Sequence, residues 1–258
     1  LANIHVPDFL ILPFGRATKD DLGRITLAAV SADGLYFNSD VSCVFIQKSA
    51  KTPMSLGRFN EVFGEIVDPN DELKDDSTLL FHMRDEIKFH NPNMTKYEVM
   101  FIDLYFEILA AGERASGNHS VLAQLSDLVG SRNVMDFALR TPDQVWRALL
   151  PIPEMQLYVR DPLASEITYH PENNFRVDYG FWDGKQLIAV EIDGAEPEGY
   201  ARDVRRDRLL RRAGVDVIHI LNLELQRHKG RALIELLPPR FFGFDWDYEG
   251  RRPNTSPF

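Results

Sequence analysis

Two carboxylates end one face of an otherwise apolar run, and a third stands on the run before it. In LIAVEID, Leu187, Ala189, Glu191 and Asp193 alternate onto one side, and Ile188, Val190 and Ile192 onto the other. In RVDYGF, Asp178 shares a side with Arg176, while Val177, Tyr179 and Phe181 share the opposite one. Carboxylates placed together in apolar surroundings lose solvation and repel each other, so they require a cation or a proton. A divalent metal satisfies several of them at once. An oxygen-rich set favours Mg²⁺ or Mn²⁺; zinc would look for His and Cys.

The surrounding elements must bring these groups together. Asp183-Gly184 separates the two runs and fits a two-residue type I′ turn, so the spacing predicts a β-hairpin. Apolar strands of this kind belong in a sheet covered on both sides. Tyr200 to Ala213 reads as a helix rich in arginine and closed by Gly214. On its wheel Arg202, Arg206, Leu209 or Leu210, and Ala213 share the inward stripe. For Arg202 and Arg206 two roles stand open, contact with a substrate phosphate or a salt bridge to the acidic cluster, and competition with a metal for the same oxygens favours the phosphate. Arg205, Arg208, Arg211 and Arg212 read as a solvated face, with Asp203 and Asp207 pairing to neighbours. VDVIHIL is then a buried strand, parallel to LIAVEID by the crossover rule.

Upstream, TKYEVMFIDLYFEILAAGE predicts a long apolar helix with Thr95 and Glu98 as a capping box. Glu98 also lies in register with Ile102, Tyr105 and Leu109, so it either bonds its own helix start or delivers a fourth carboxylate to the metal site. Residues at about 115–150 continue helical, with SVLAQLSDLV ending at Gly130 and TPDQVW starting on Thr141 and Pro142. MQLYVRD predicts a strand, and NLELQRHKGRALIELL a last helix.

Residues 1–90 read differently. DFLILPF, GRITLAAVSADG, LYFNSDVSCVFIQ and STLLFHM are strand-like, Asp33-Gly34 fits a hairpin turn, and DPNDELKDDS is an acidic loop. The spacing predicts a β-rich domain, either a recognition unit for nucleic acid, a partner protein or a second copy, or simply a support. A domain of residues 91–258 would then fold without it. His82 and His90 are isolated and read as structural. The single cysteine, Cys43, excludes an internal disulfide framework and suits a reducing, cytoplasmic setting. No apolar run spans a bilayer and no signal-like segment opens the chain, which begins at Leu1 as a piece of something longer would. A net charge of −10 argues against broad electrostatic binding of nucleic acid, which leaves a local basic patch to do it.

Asp178, then Glu191-Ile192-Asp193 after the hairpin, resembles the PD-(D/E)XK signature of restriction-endonuclease-like nucleases. RVDYGF, EIDG and YARDVRRDRLLRRAGVDVIHI together are similar to the branch around the very-short-patch-repair endonucleases, and TKYE matches its upstream helix. The likeness covers about residues 94–222. It implies an α/β fold with a mixed central sheet flanked by helices, carrying a helical insertion at about 115–150. It also implies a Mg²⁺-dependent (or Mn²⁺-dependent) endonuclease acting on DNA, in repair, restriction or anti-phage defence. Asp178 and Glu191 would be metal ligands, with the Ile192 carbonyl a further one, and Glu98 and Asp193 would complete the catalytic set. Asp193 stands where the wider family has lysine, which leaves Lys185, Gln156 or Arg206 to orient the water, with Lys185 also a nucleic-acid contact. Gly194-Ala195-Glu196-Pro197-Glu198 replaces a stretch that often carries histidine. The other readings are a catalytically degenerate fold that binds nucleic acid, or a protein-interaction subunit whose carboxylates hold a structural cation.

Overall fold

A computed structural model describes residues 10–13, 26–31, 34–38, 44–47, 53–63, 76–115, 119–138, 142–158, 174–194, 206–208, 210–211 and 214–244. Its centre is a four-stranded sheet in the order β5-β6-β7-β8, made of Ile152–Tyr158, Asn174–Trp182, Leu187–Asp193 and Asp216–Leu221. β5 pairs antiparallel with β6 and β6 with β7, while β7 and β8 are parallel, so the sheet is mixed as expected. Helices flank it and the chain is α/β. No helix among the described residues is long and apolar enough to cross a membrane.

Alternation explains the sheet. Val177, Tyr179 and Phe181 of β6 are buried with Ile188 and Val190 of β7. The helix α3, Lys96–Ala115, covers this face. Phe101 of α3 packs on Tyr179 with ring centroids 4.6 Å apart, and Phe181 packs on Phe241 at 4.5 Å. The Tyr105 hydroxyl, fully buried, donates to the Leu149 carbonyl at 2.7 Å and also meets the Phe241 carbonyl, which ties α3 to both neighbouring segments. The opposite face of β6, β7 and β8 carries Asp178, Glu191, Asp193 and His219.

The hairpin between β6 and β7 closes at Trp182↔Leu187, so residues 183–186 form a four-residue loop and the expected type I′ turn does not occur. The reason is the Asp183 side chain. Its Oδ1 accepts from the backbone N–H groups of Lys185 and Gln186, both at 2.8 Å, and only Gly184 of the expected pair takes a positive φ, 86°. Asp183 also pairs with Arg240 at 2.7 Å.

The N-terminal part departs from expectation in a second place. Strands Leu10–Pro13 (β1), Thr26–Ser31 (β2), Gly34–Asn38 (β3) and Val44–Gln47 (β4) form two antiparallel pairs, β1 with β4 and β2 with β3. Cys43 and Asp33 lie outside the described residues. STLLFHM, however, belongs to a helix, Asp76–His90 (α2), preceded by a short helix Leu56–Phe63 (α1). Leu80, Met83 and Ile87 share its buried face and join the same core as α3 and the sheet. Met54, Leu56 and Phe59 join it too. The backbone bonds Met54 N to Trp182 O at 3.0 Å and Leu150 N to Met54 O at 2.8 Å stitch this segment to β6 and to the start of β5. A division at residue 90 therefore cuts through packed residues.

The region at about 115–150 is helical as expected, with His119–Val129 (α4), Val134–Ala138 (α5) and Pro142–Trp146 (α6). The expected last helix is instead two, Asn222–His228 (α7) and Gly230–Leu236 (α8), broken at Lys229, whose φ is 47°. Gly230 permits α8 to lie against α4, since a Cβ there would sit 2.6 Å from the Leu128 carbonyl oxygen. Gly230→Ala is therefore expected to cost about 1–3 kcal/mol by overpacking, read from urea unfolding. A change below about 0.5 kcal/mol would contradict that packing.

Candidate active site

The ladder between β6 and β7 ends at Tyr179↔Val190, and one step further along that register Asp178 stands opposite Glu191. The parallel ladder on the other side places His219 of β8 against Glu191. Asp178, Glu191 and His219 therefore share one face of three adjacent strands, with Asp193 two residues beyond Glu191 on the same side. The covering segment is the basic helix, described at 206–208 and 210–211. Its Leu210 is fully buried, and it ends as the sequence predicts, with Gly214 at φ 84°. The bonds Val215 N to Leu210 O and Gly214 N to Arg211 O at this end make a Schellman motif.

Each acidic group has a defined partner. Asp178 Oδ2 accepts from the Ile192 N–H at 2.7 Å. Glu191, with its side chain 6% exposed, forms an ion pair with the Arg206 guanidinium, which also donates to the Arg176 carbonyl at 3.1 Å. His219 bridges two carboxylates, Nδ1 to Asp193 Oδ2 at 2.5 Å and Nε2 to Asp207 Oδ2 at 2.7 Å. Glu98 is buried at the start of α3 and makes the complete capping box. Its oxygens accept from the Thr95 N–H at 3.1 Å and the Thr95 hydroxyl at 2.9 Å, and its carbonyl accepts from the Tyr179 hydroxyl at 2.6 Å. Of the two roles open to Glu98, helix capping is the one its bonds perform, although its charge still reaches Asp178.

Burial pushes Asp178 up to about 6, against the opposing pull of the Ile192 N–H, with Glu98 raising it further. Burial also pushes Glu191 up to about 8 in spite of Arg206, and the neighbouring Asp178 adds to the rise. Hydrogen bonding to Asp193 raises the His219 imidazole to about 9, with Asp207 contributing, so it is a cation at neutral pH. Among the described residues Asp178, Glu191, Asp193 and Asp207 gather on this face around two bonded cations, Arg206 and His219, with Arg211 4.0 Å from Asp207.

The donor set decides whether a metal fits. Among the described residues no three His, Cys, Asp or Glu side chains converge as a ready cage. Mg²⁺ needs none, since it takes one or two carboxylates and completes its shell with water and substrate phosphate. Two desolvated carboxylates opposite each other on paired strands suit it. Asp178 and Glu191 would hold it, with the Ile192 carbonyl adjacent.

The remaining candidates scatter. Lys185 is exposed in the hairpin loop, at the far end of β6 and β7 from Asp178 and Glu191. Gln156 stands opposite Arg176 in the β5–β6 register. Arg202 lies outside the described residues. Arg206 is brought to the acidic pair, in the salt-bridge role that was open to it. Sequence reasoning missed His219 and the specific role of Asp207. The signal was present in the parity of VDVIHIL, where Val217, His219 and Leu221 alternate together, but using it requires the parallel register.

These three groups give the same pH dependence. Each holds its proton more tightly in the folded chain, so its stability contribution is complete below its ordinary value (3.8, 4.5 and 6.5) and is lost as pH rises through about 6, 8 and 9. The melting temperature should fall steadily from pH 5 to 9.5. Saturating Mg²⁺ should recover much of the loss on the alkaline side, by about 2.7 kcal/mol at a hundredfold excess over Kd. A flat or rising profile across this window would contradict the buried carboxylates.

No protein-family model matches the chain, and no curated protein or solved structure matches it either, so its functional reading rests on these residues.

Proposed function

We infer that this protein is a metal-dependent nuclease that hydrolyses phosphodiester bonds, with DNA as its substrate on the strength of the resemblance in its hairpin and basic helix. The observation that carries the reading is the placement of Asp178 opposite Glu191 where the ladder between β6 and β7 ends, with Arg206 bonded to Glu191 from the helix that follows. A bound Mg²⁺ or Mn²⁺ supplies charge neutralisation at the scissile phosphate and a water acidic enough to act near neutral pH. Asp178 and Glu191 would hold it from two paired strands. The Ile192 N–H holds Asp178 in one orientation. Among the described residues Arg206 is the arginine bonded to the acidic pair and the candidate best placed to contact the attacked phosphate, whereas Lys185 is too far along the hairpin. His219 neutralises Asp193, the residue in the usual lysine position, and ties it to Asp207.

One observation favours a second reading. Arg206 already neutralises Glu191, as an arginine replacing a lost metal would, and that suits a catalytically degenerate fold that binds nucleic acid or a protein. Wild-type protein tested with linear duplex, circular duplex and single-stranded DNA separates the classes. The nuclease reading expects Mg²⁺-dependent product. Salt-sensitive retention of DNA without product would establish the binding module. Neither product nor retention would point to a protein-interaction subunit.

A further inference from the structure

We propose that Arg206 is a reversible plug on the acidic pair: it occupies Glu191 in the free protein, transfers to a nucleic-acid phosphate when one binds, and thereby makes divalent-cation binding conditional on substrate. The proposal deepens the nuclease reading and rests on it. Arg206 occupies Glu191 Oε1, so a divalent ion taking that oxygen would have to displace the guanidinium. Arg206 is also on the solvent side of the pair, its side chain 25% exposed against 6% for Glu191, so an incoming phosphate meets the guanidinium before it meets the carboxylate. The planar fork of arginine suits phosphate at least as well as carboxylate. Its backbone does not need to move. The adjacent Asp207 is tied to His219 at 2.7 Å, and Leu210 anchors the same helix in the core, so a side-chain rotation is enough. The Arg176 carbonyl, 3.1 Å away, offers a second tether that does not depend on Glu191. Binding energies must then be reciprocal: the factor by which substrate tightens metal is the factor by which metal tightens substrate.

Mn²⁺ binding followed by electron paramagnetic resonance at pH 8 tests this in wild type, Arg206→Gln and Glu191→Gln, each with and without a short phosphorothioate duplex that resists hydrolysis. Wild type alone is expected to bind Mn²⁺ weakly, and the duplex should tighten it by about tenfold or more. Arg206→Gln should bind that tightly without the duplex and gain little from it. Glu191→Gln should lose the site in every condition. Equal, Glu191-dependent affinity in wild type and Arg206→Gln would overturn the plug and leave the metal site standing. Mn²⁺ binding that ignores Glu191 altogether would overturn the nuclease reading, and the plug with it. Should Arg206→Gln fail to fold, wild type decides alone: a duplex that leaves its Mn²⁺ affinity unchanged overturns the proposal.

Discussion

Glu191→Gln is expected to remove metal-dependent cleavage, by on the order of a thousandfold or more in kcat, while the folded structure persists. A metal acting as Lewis acid contributes several kcal/mol to the transition state, and about 1.4 kcal/mol is tenfold in rate. The amide keeps the shape of the carboxylate and can still accept a hydrogen bond from Arg206, so the packing around this buried residue is retained. Asp178→Asn should lose activity on the same scale, since it stands opposite on the paired strand. Asp193→Asn should lose less, because its carboxylate is engaged by His219. Lys185→Ala, in the exposed hairpin loop, should leave cleavage unchanged. Rates measured beside thermal melts decide the matter: Glu191→Gln cutting at the wild-type rate would remove the assigned role of that residue.

The second large effect concerns where the folding unit begins. A chain of residues 91–258 is expected to lack a cooperative melt, whereas residues 51–258 should melt cooperatively. The shorter piece loses Met54, Leu56, Phe59, Leu80, Met83 and Ile87, all buried in the core that α3 and the sheet share. Each such side chain contributes about 1.5–3 kcal/mol on burial. Their combined loss is comparable with the roughly 5–15 kcal/mol that holds a whole domain together. The Met54 to Trp182 and Leu150 to Met54 backbone bonds disappear with them. Near-identical cooperative melts for the two pieces would show instead that α1 and α2 are appended to an independent fold.

Local periodicity made much of the sheet readable. Alternation in RVDYGF and LIAVEID placed Asp178, Glu191 and Asp193 on one face, and Gly214 marked the end of the basic helix, because these features depend on neighbours in sequence. STLLFHM misled for the same reason. Over seven residues its apolar positions suit a strand, and only a window reaching Ile87 reveals the spacing of Leu80, Met83 and Ile87 that makes α2 a helix. The hairpin turn was misjudged because the Asp183 side chain, bonding Lys185 and Gln186, supplied a turn that dipeptide statistics assign to positive φ at both residues. The break at Lys229 reflects the close approach of Gly230 to Leu128, a contact between segments far apart in the chain. His219 was illegible for that reason too, since its place depends on how β8 docks on β7, which no local pattern encodes. The helix wheel did leave the pairing of Arg206 with the acidic cluster open as one of two roles.

Divalent-ion binding by Asp178 and Glu191 for phosphodiester hydrolysis is the core of the proposed function. Its most direct test is cleavage of covalently closed circular duplex DNA by wild-type protein, first with Mg²⁺, then with excess chelator, then with Mg²⁺ restored. Nicked or linear product is expected in the first condition, none in the second and full recovery in the third. Equal cleavage in excess chelator would contradict it.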